Sequence, residues 1–122
     1  MISNISINKQ WIKDATHTLE IAKEAYIKGD IGTLERANDD LIITLFINSE
    51  IAAELSKAIE IINKKYEKIS EDIDKRLKDV NAYDKKRLIA KKDTLPFKRA
   101  AEVYLLLKRL VYKHLILQYK SL

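Results

Sequence analysis

The chain contains very few residues that interrupt a helix. Its only glycines are Gly29 and Gly32, its only proline is Pro96, and the 63 residues between Gly32 and Pro96 contain neither type. Such a chain cannot supply the hairpin turns of an all-β fold or the glycine-rich loop that binds phosphate. It also has no cysteine, which excludes disulfide bonds, thiolate zinc sites and cysteine nucleophiles. We therefore predict an all-α fold.

An apolar stripe predicts the first helix over residues 8–28. Apolar side chains recur every three or four positions at Trp11, Ala15, Leu19, Ala22 and Tyr26, which is the spacing of one helical face. Asn8 can accept a hydrogen bond from the first turn as an N-cap. Gly29 follows Lys28 at the position where a left-handed residue commonly ends a helix.

A heptad pattern occupies the region without glycine and proline. Its positions alternate in steps of four and three at Leu41, Leu45, Asn48, Ala52, Leu55, Ile59, Ile62, Tyr66, Ile69 and Ile73. The pattern predicts one coiled-coil-like helix from Thr33 to Val80, about 70 Å long. Breaks are conceivable at Asn48-Ser49, at residues 70–72 and at Asn81. We favour Asn81, because Asp84 follows it in the manner of a capped first turn.

The C-terminal third predicts two further helices. A short basic helix is expected from Ala82 to Lys92, and Pro96 suits the first turn of a last helix from Leu95 to Tyr119. Apolar residues surround most of this last helix. Such a helix lies either at the centre of its bundle or in an interface between copies.

Together these elements predict one domain over residues 1–122, a three- to four-helix bundle that self-associates into a homo-oligomer. The N-terminus lacks the pattern of a secretory signal, and the longest apolar run, Val103–Leu107, is far shorter than the ~20 residues of a membrane span. We therefore expect a cytoplasmic protein without a membrane partner.

Charge is distributed unevenly along the chain. Residues 1–62 carry six basic and ten acidic groups, whereas residues 63–92 carry eleven basic and six acidic groups. The candidate binding residues form one basic cluster: Lys85, Lys86, Arg87, Lys91, Lys92, Lys98 and Arg99. Cations at this density can bind the phosphate backbone of RNA or DNA or an acidic protein, and nearby Tyr83 and Phe97 can stack on bases. The alternative is a solvated face that only keeps the protein soluble.

No residue pattern indicates catalysis or a cofactor. His17 and His114 are far apart in sequence, and neither the HExxH spacing nor the Glu-x-x-His signature of di-iron bundles is present. Acid–base chemistry by Glu50 or Glu54 has no support either, because both residues can occupy an exposed face of the heptad. We therefore expect no catalytic residue, no metal, no cofactor and no small-molecule substrate.

One arrangement resembles a known family. Residues 109–114 have the Arg-x4-His form of HEPN domains, and residues 11–30 resemble the opening helix of that family. HEPN domains are small all-α modules that include dimeric ribonucleases. The resemblance implies that Arg109 holds a phosphate group and that His114 takes part in attack by the ribose 2′-hydroxyl across a dimer cleft.

The favoured interpretation is a non-enzymatic interaction module, a small subunit or adaptor of a larger assembly whose basic C-terminal half binds nucleic acid. One alternative is a HEPN-type ribonuclease using Arg109 and His114. The other is a protein-only inhibitor or chaperone that holds a partner helix in its groove.

Overall fold

The computed structural model describes residues 2–46 and 49–113, and within these ranges the chain forms four helices and no strand. The helices are α1 (Ile2–Lys28), α2 (Ile31–Leu45), α3 (Ser49–Leu77) and α4 (Ala82–Val111). The predicted all-α bundle is therefore confirmed. The side chains of residues 2–9, Trp11, Ser49 and Glu50 are not described.

The turn between α1 and α2 follows the local chemistry of Gly29 and Asp30. Gly29 has a φ of 72°, and the N–H groups of Gly29 and Asp30 donate to Tyr26 O and Ala25 O at 3.3 and 2.9 Å. This double closure is a Schellman motif, so the predicted end of the first helix is confirmed. The predicted start at Asn8 is wrong, because α1 begins at Ile2 and no glycine or proline interrupts its first turns.

Asp30 then caps α2. Its Oδ1 accepts the backbone N–H of Thr33 at 3.2 Å, and its Oδ2 accepts the Thr33 hydroxyl at 2.7 Å. These two bonds, the hydroxyl bond first, lower the pKa of Asp30, because both favour the charged carboxylate. The cap starts α2 at Ile31, two residues before the predicted start.

The predicted single helix from Thr33 to Val80 is wrong. Helix α2 ends at Leu45, with the Phe46 N–H donating to Ile42 O at 3.0 Å, and α3 begins at Ser49. A continuous helix of this length would leave much of its apolar seam without a partner. In two shorter helices, Leu41 and Leu55 instead enter the same core. Asn48 itself lies outside the described residues.

The favoured break at Asn81 is confirmed. Helix α3 ends at Leu77, and the Asn81 Oδ1 accepts the Asp84 N–H at 2.9 Å to begin α4. Residues 70–72 lie inside α3 and interrupt nothing.

The separate helices predicted over residues 82–92 and from Leu95 onward are wrong, because α4 is continuous through Pro96. Proline removes one donor, the N–H that would bond to the Lys92 carbonyl, and the Thr94 hydroxyl donates nearby to Lys91 O at 2.7 Å. Leu95 and Ala100, on either side of the proline, are both buried. Packing therefore holds the helix across the proline. The predicted C-terminal end at Tyr119 lies outside the described residues.

Helix α4 is the central element of the bundle. It contacts α1, α2 and α3, and it runs antiparallel to α3, as the pairs Lys65–Glu102 and Asp74–Lys92 show. The largest fully buried side chains come from α2, α3 and α4: Leu34, Leu41, Leu45, Ile51, Leu55, Leu107, Leu110 and Val111. Helix α1 covers this core with small side chains, chiefly Ala15, Ala22 and Ala25.

Helices α3 and α4 extend past the other two helices. The turn after α1 lies level with Phe97, because the rings of Tyr26 and Phe97 stack 6.1 Å apart. Residues 71–92 continue beyond this level, and Ile73, the one buried apolar residue of this segment, is separate from the main core. This segment extends about 16 Å beyond the level of Phe97, which is the length of 11 residues of α4.

Candidate nucleic-acid interface

All seven residues of the predicted basic cluster lie on α4, and six of them form two lines along the helix. Arg87, Lys91 and Lys98 are spaced by four and seven residues, so they lie within about 40° of one another around the helix. We call these three residues the outer stripe. Lys85, Lys92 and Arg99 are spaced by seven and form a second line about 120° away. The sector between the two lines faces α3.

The outer stripe is exposed to solvent. Arg87, Lys91 and Lys98 are all exposed, as are Lys85 and Lys86 nearby. Within the described ranges, 2–46 and 49–113, none of these five cations forms an ion pair with a carboxylate. The stripe spans about 16 Å from Arg87 to Lys98, a length over which a nucleic-acid strand presents several phosphate groups.

Lys92 and Arg99 are held by α3. The Lys92 ammonium lies 2.6 Å from Asp74 Oδ1, and the Arg99 Nε donates to Asn63 Oδ1 at 2.7 Å. Both residues are half-buried. The structure therefore separates the predicted cluster into five exposed cations and two that belong to the contact between α3 and α4.

The two aromatic residues beside the cluster have different environments. Tyr83, at the start of α4, is 75% exposed. Phe97 is half-buried and stacks on Tyr26, with the two rings inclined by only 12°. Tyr83 is therefore accessible to a base, whereas Phe97 packs within the bundle.

A groove between α3 and α4, at the N-terminal end of α2, is a feature that the sequence reasoning missed. It has a volume of about 550 Å³, and the residues that line it are Glu35, Asn63, Tyr66, Glu67, Ser70, Lys92, Leu95, Pro96 and Arg99. A smaller cavity of about 170 Å³ adjoins it and shares Glu35 and Arg99. In the sequence, the seven-residue spacing of Lys85, Lys92 and Arg99 indicates that these residues share one face of a helix.

A small polar network lies beside Tyr66, one of the residues that line this groove. Lys65 Nζ lies 2.5 Å from Glu102 Oε1 and 5.4 Å from the centre of the Tyr66 ring. Burial raises the pKa of Tyr66, and the charge of Glu102 raises it further. The hydrogen bond to Glu102 raises the pKa of Lys65, because it favours the ammonium. The Tyr66 ring itself lies on the groove wall.

The pair implied by the HEPN resemblance is only partly described. Arg109 is exposed on α4 and lines a groove of about 390 Å³ with Ile61 and Leu105. His114 lies outside the described residues, as does the side chain of Trp11. The other histidine, His17, is exposed on α1.

The described part of the chain has neither a metal-binding cluster nor a membrane-spanning helix. No group of three or more His, Cys, Asp and Glu side chains there could hold a metal ion. No described helix combines the length and apolar character needed to cross a membrane.

Comparison of the chain with protein-family models, curated proteins and solved structures found no match. The resemblance to HEPN domains therefore rests on the motif residues of the sequence alone.

Proposed function

We propose that the protein is a non-enzymatic, cytoplasmic interaction module that binds a nucleic-acid backbone through the outer stripe of α4. In this proposal it acts as a small subunit or adaptor of a larger assembly and self-associates. The helical bundle holds α4 at its centre, and the stripe contacts phosphate groups along one strand.

One observation supports this proposal above the others: five exposed cations on one half of α4 have no carboxylate partner among the described residues. Lys64 on α3, by contrast, is paired with Glu60 at 2.9 Å. Cations without internal partners can displace the counterions condensed on a polyanion, and this release supplies most of the affinity of nonspecific binding. The exposed ring of Tyr83 adds a surface on which a base can stack.

The experiment compares two triple variants with the same change in net charge. The test variant carries Arg87→Gln, Lys91→Gln and Lys98→Gln in the outer stripe. The control carries Lys13→Gln, Lys23→Gln and Lys57→Gln, three exposed lysines on α1 and α3. Affinity for a fluorescent single-stranded oligonucleotide is measured by anisotropy, and circular dichroism checks that both variants fold.

We expect the test variant to bind about 100-fold more weakly at 0.1 M salt, because each lost phosphate contact removes about 0.7 of a power of salt concentration. The control should bind within a factor of about three of the wild type, because salt screens the attraction between the strand and charges far from it. Equal weakening of both variants would show that net charge alone drives binding, and it would refute the assignment to the outer stripe.

The same preparation decides between the other functions. Cleavage of RNA that His114→Ala abolishes in a folded chain would replace the binding module with a HEPN-type ribonuclease. Absence of nucleic-acid binding even at low salt would favour a protein partner. Light scattering on the same sample measures the expected self-association.

A further inference from the structure

The groove at the N-terminal end of α2 has the construction of a small-molecule site. Its volume of about 550 Å³ lies within the range of about 300–1,000 Å³ that is typical of ligand pockets. Three helices form it, with Glu35 from α2, Asn63 and Tyr66 from α3, and Arg99 from α4. It lies about 120° around α4 from the outer stripe, so one site can be altered without the other.

Arg99 provides the anchor for an anionic group. Its Nε is already bonded to Asn63 Oδ1 at 2.7 Å, and this bond fixes the orientation of the guanidinium. The terminal nitrogens of Arg99 keep four N–H donors, and the Asn63 amide carries two more beside them. A planar fork held in place in this way suits the bidentate binding of phosphate.

The remaining walls suit a flat ring with amino groups. Tyr66, Leu95 and Pro96 give the groove an aromatic and aliphatic surface against which a ring can pack. The carboxylates of Glu35 and Glu67 supply hydrogen-bond acceptors.

The charges on the groove wall indicate a ligand with a single anionic group. Two cations, Lys92 and Arg99, face two carboxylates, Glu35 and Glu67, and Asp74 already holds the Lys92 ammonium at 2.6 Å. A strand with many phosphates would meet repulsion from the two carboxylates here. One phosphate on Arg99 and an amino-bearing ring beside the carboxylates would satisfy both kinds of group.

We propose that this groove binds a nucleoside monophosphate, either free or as the terminal residue of a nucleic-acid strand. Arg99 and Asn63 bind the phosphate, and the base lies against Tyr66, Leu95 and Pro96. From the sequence we expected no small-molecule ligand, and this proposal departs from that expectation. Its occupation by a free mononucleotide does not depend on the outer stripe.

The test uses adenosine 5′-monophosphate, adenosine and inorganic phosphate as probes, with binding followed by calorimetry on the full chain. We expect the monophosphate to bind more tightly than either fragment. Arg99→Gln should weaken its binding at least tenfold, and Arg99→Lys, which keeps the charge but loses the fork, should also weaken it. The control is Lys98→Gln, the neighbouring cation on the outer stripe, which should leave monophosphate binding unchanged. Circular dichroism verifies folding.

No binding of the monophosphate at millimolar concentration would overturn the proposal, and so would binding that Lys98→Gln weakens as much as Arg99→Gln. The triple variant of the outer stripe should still bind the monophosphate, so the proposals for this site and for the strand-binding surface can be refuted independently. The source is decided with two oligonucleotides. A preference for a 5′-phosphorylated strand that Arg99→Gln removes assigns the site to strand ends, and equal affinities assign it to the free nucleotide.

Discussion

Replacement of Asn38 by leucine should stabilise the protein. Asn38 is 4% exposed and lies on the core-facing side of α2 with Leu34, Leu41 and Leu45. Its Nδ2 donates to Ala100 O at 3.0 Å, whereas its Oδ1 is buried without a hydrogen-bond partner among the described residues. Leucine has the same branch at Cγ and carries no polar atom, so it can replace asparagine without a large change in shape.

Three contributions determine the size of the effect. Loss of the bond to Ala100 O costs about 1 kcal/mol, and removal of the unsatisfied acceptor returns about 1–3 kcal/mol. Burial of the leucine side chain adds about 1.5 kcal/mol or more. The carbonyl of Ala100 keeps its partner in α4, because the helix continues to Val111. We therefore expect a net stabilisation of about 1.5–3.5 kcal/mol, which raises Tm by about 6–14 °C for a chain of this size.

Urea unfolding followed by circular dichroism measures this change. Asn38→Ala is the matched control, because it removes the same polar atoms but adds no apolar volume, so it should be less stable than Asn38→Leu. Native-state hydrogen exchange adds a second readout, since the bond from Asn38 to Ala100 also fixes the register of α2 on α4. A loss of more than about 1 kcal/mol in Asn38→Leu would refute the reasoning, because it would mean that Oδ1 has a buried donor such as water.

Three further predictions concern stability. Leu107→Ala should lower the free energy of unfolding by about 3–5 kcal/mol in urea titrations, because Leu107 is fully buried and its removal leaves a cavity; a loss below about 1 kcal/mol would contradict its place in the core. Gly29→Ala should cost about 1–2 kcal/mol because of its positive φ, whereas Gly32→Ala inside α2 should stabilise by about 0.5–1 kcal/mol; equal effects on Tm would contradict the turn geometry. Ionised Asp30 should stabilise the fold fully above pH about 4 and lose this contribution as the pH falls through its lowered pKa; an unchanged acid-unfolding curve in Asp30→Asn would contradict the cap.

Helix ends were predictable where one residue decides them. Gly29 has a backbone conformation that other residues disfavour, and Asn81 supplies a cap that the next turn needs. The division between α2 and α3 falls at the candidate break Asn48-Ser49, but the sequence does not favour it, because the heptad pattern passes through without interruption. At Pro96 the sequence predicted the start of a new helix, but α4 continues through it. The tertiary packing of Leu95 and Ala100 outweighs one missing hydrogen bond.

The buried polar residue Asn38 is absent from the predicted heptad pattern. The predicted pattern begins at Leu41 and has Asn48 as its polar position. The same steps of four and three extend backward from Leu41 through Asn38 to Leu34, and both residues are buried. An earlier start of the helix would have identified Asn38 from the sequence.

The exposed part of the candidate interface could be predicted because its residues are close in sequence. A run of cations on one helix needs no tertiary information, and Arg87, Lys91 and Lys98 are exposed as a basic surface requires. The groove could not be predicted, because Glu35, Asn63 and Arg99 come from three helices. These residues come together only because the chain turns between α2 and α3, and the heptad pattern does not favour a turn there.

The salt dependence of strand binding tests the central claim most directly. Three phosphate contacts from the outer stripe predict that the logarithm of the affinity falls with the logarithm of salt concentration with a slope of about −2.1 for a single strand. Neutralisation of Arg87, Lys91 and Lys98 should bring this slope close to zero, and the α1 and α3 control should keep the full value. A slope near zero for the wild type, or the same slope in the wild type and the outer-stripe variant, would contradict the account.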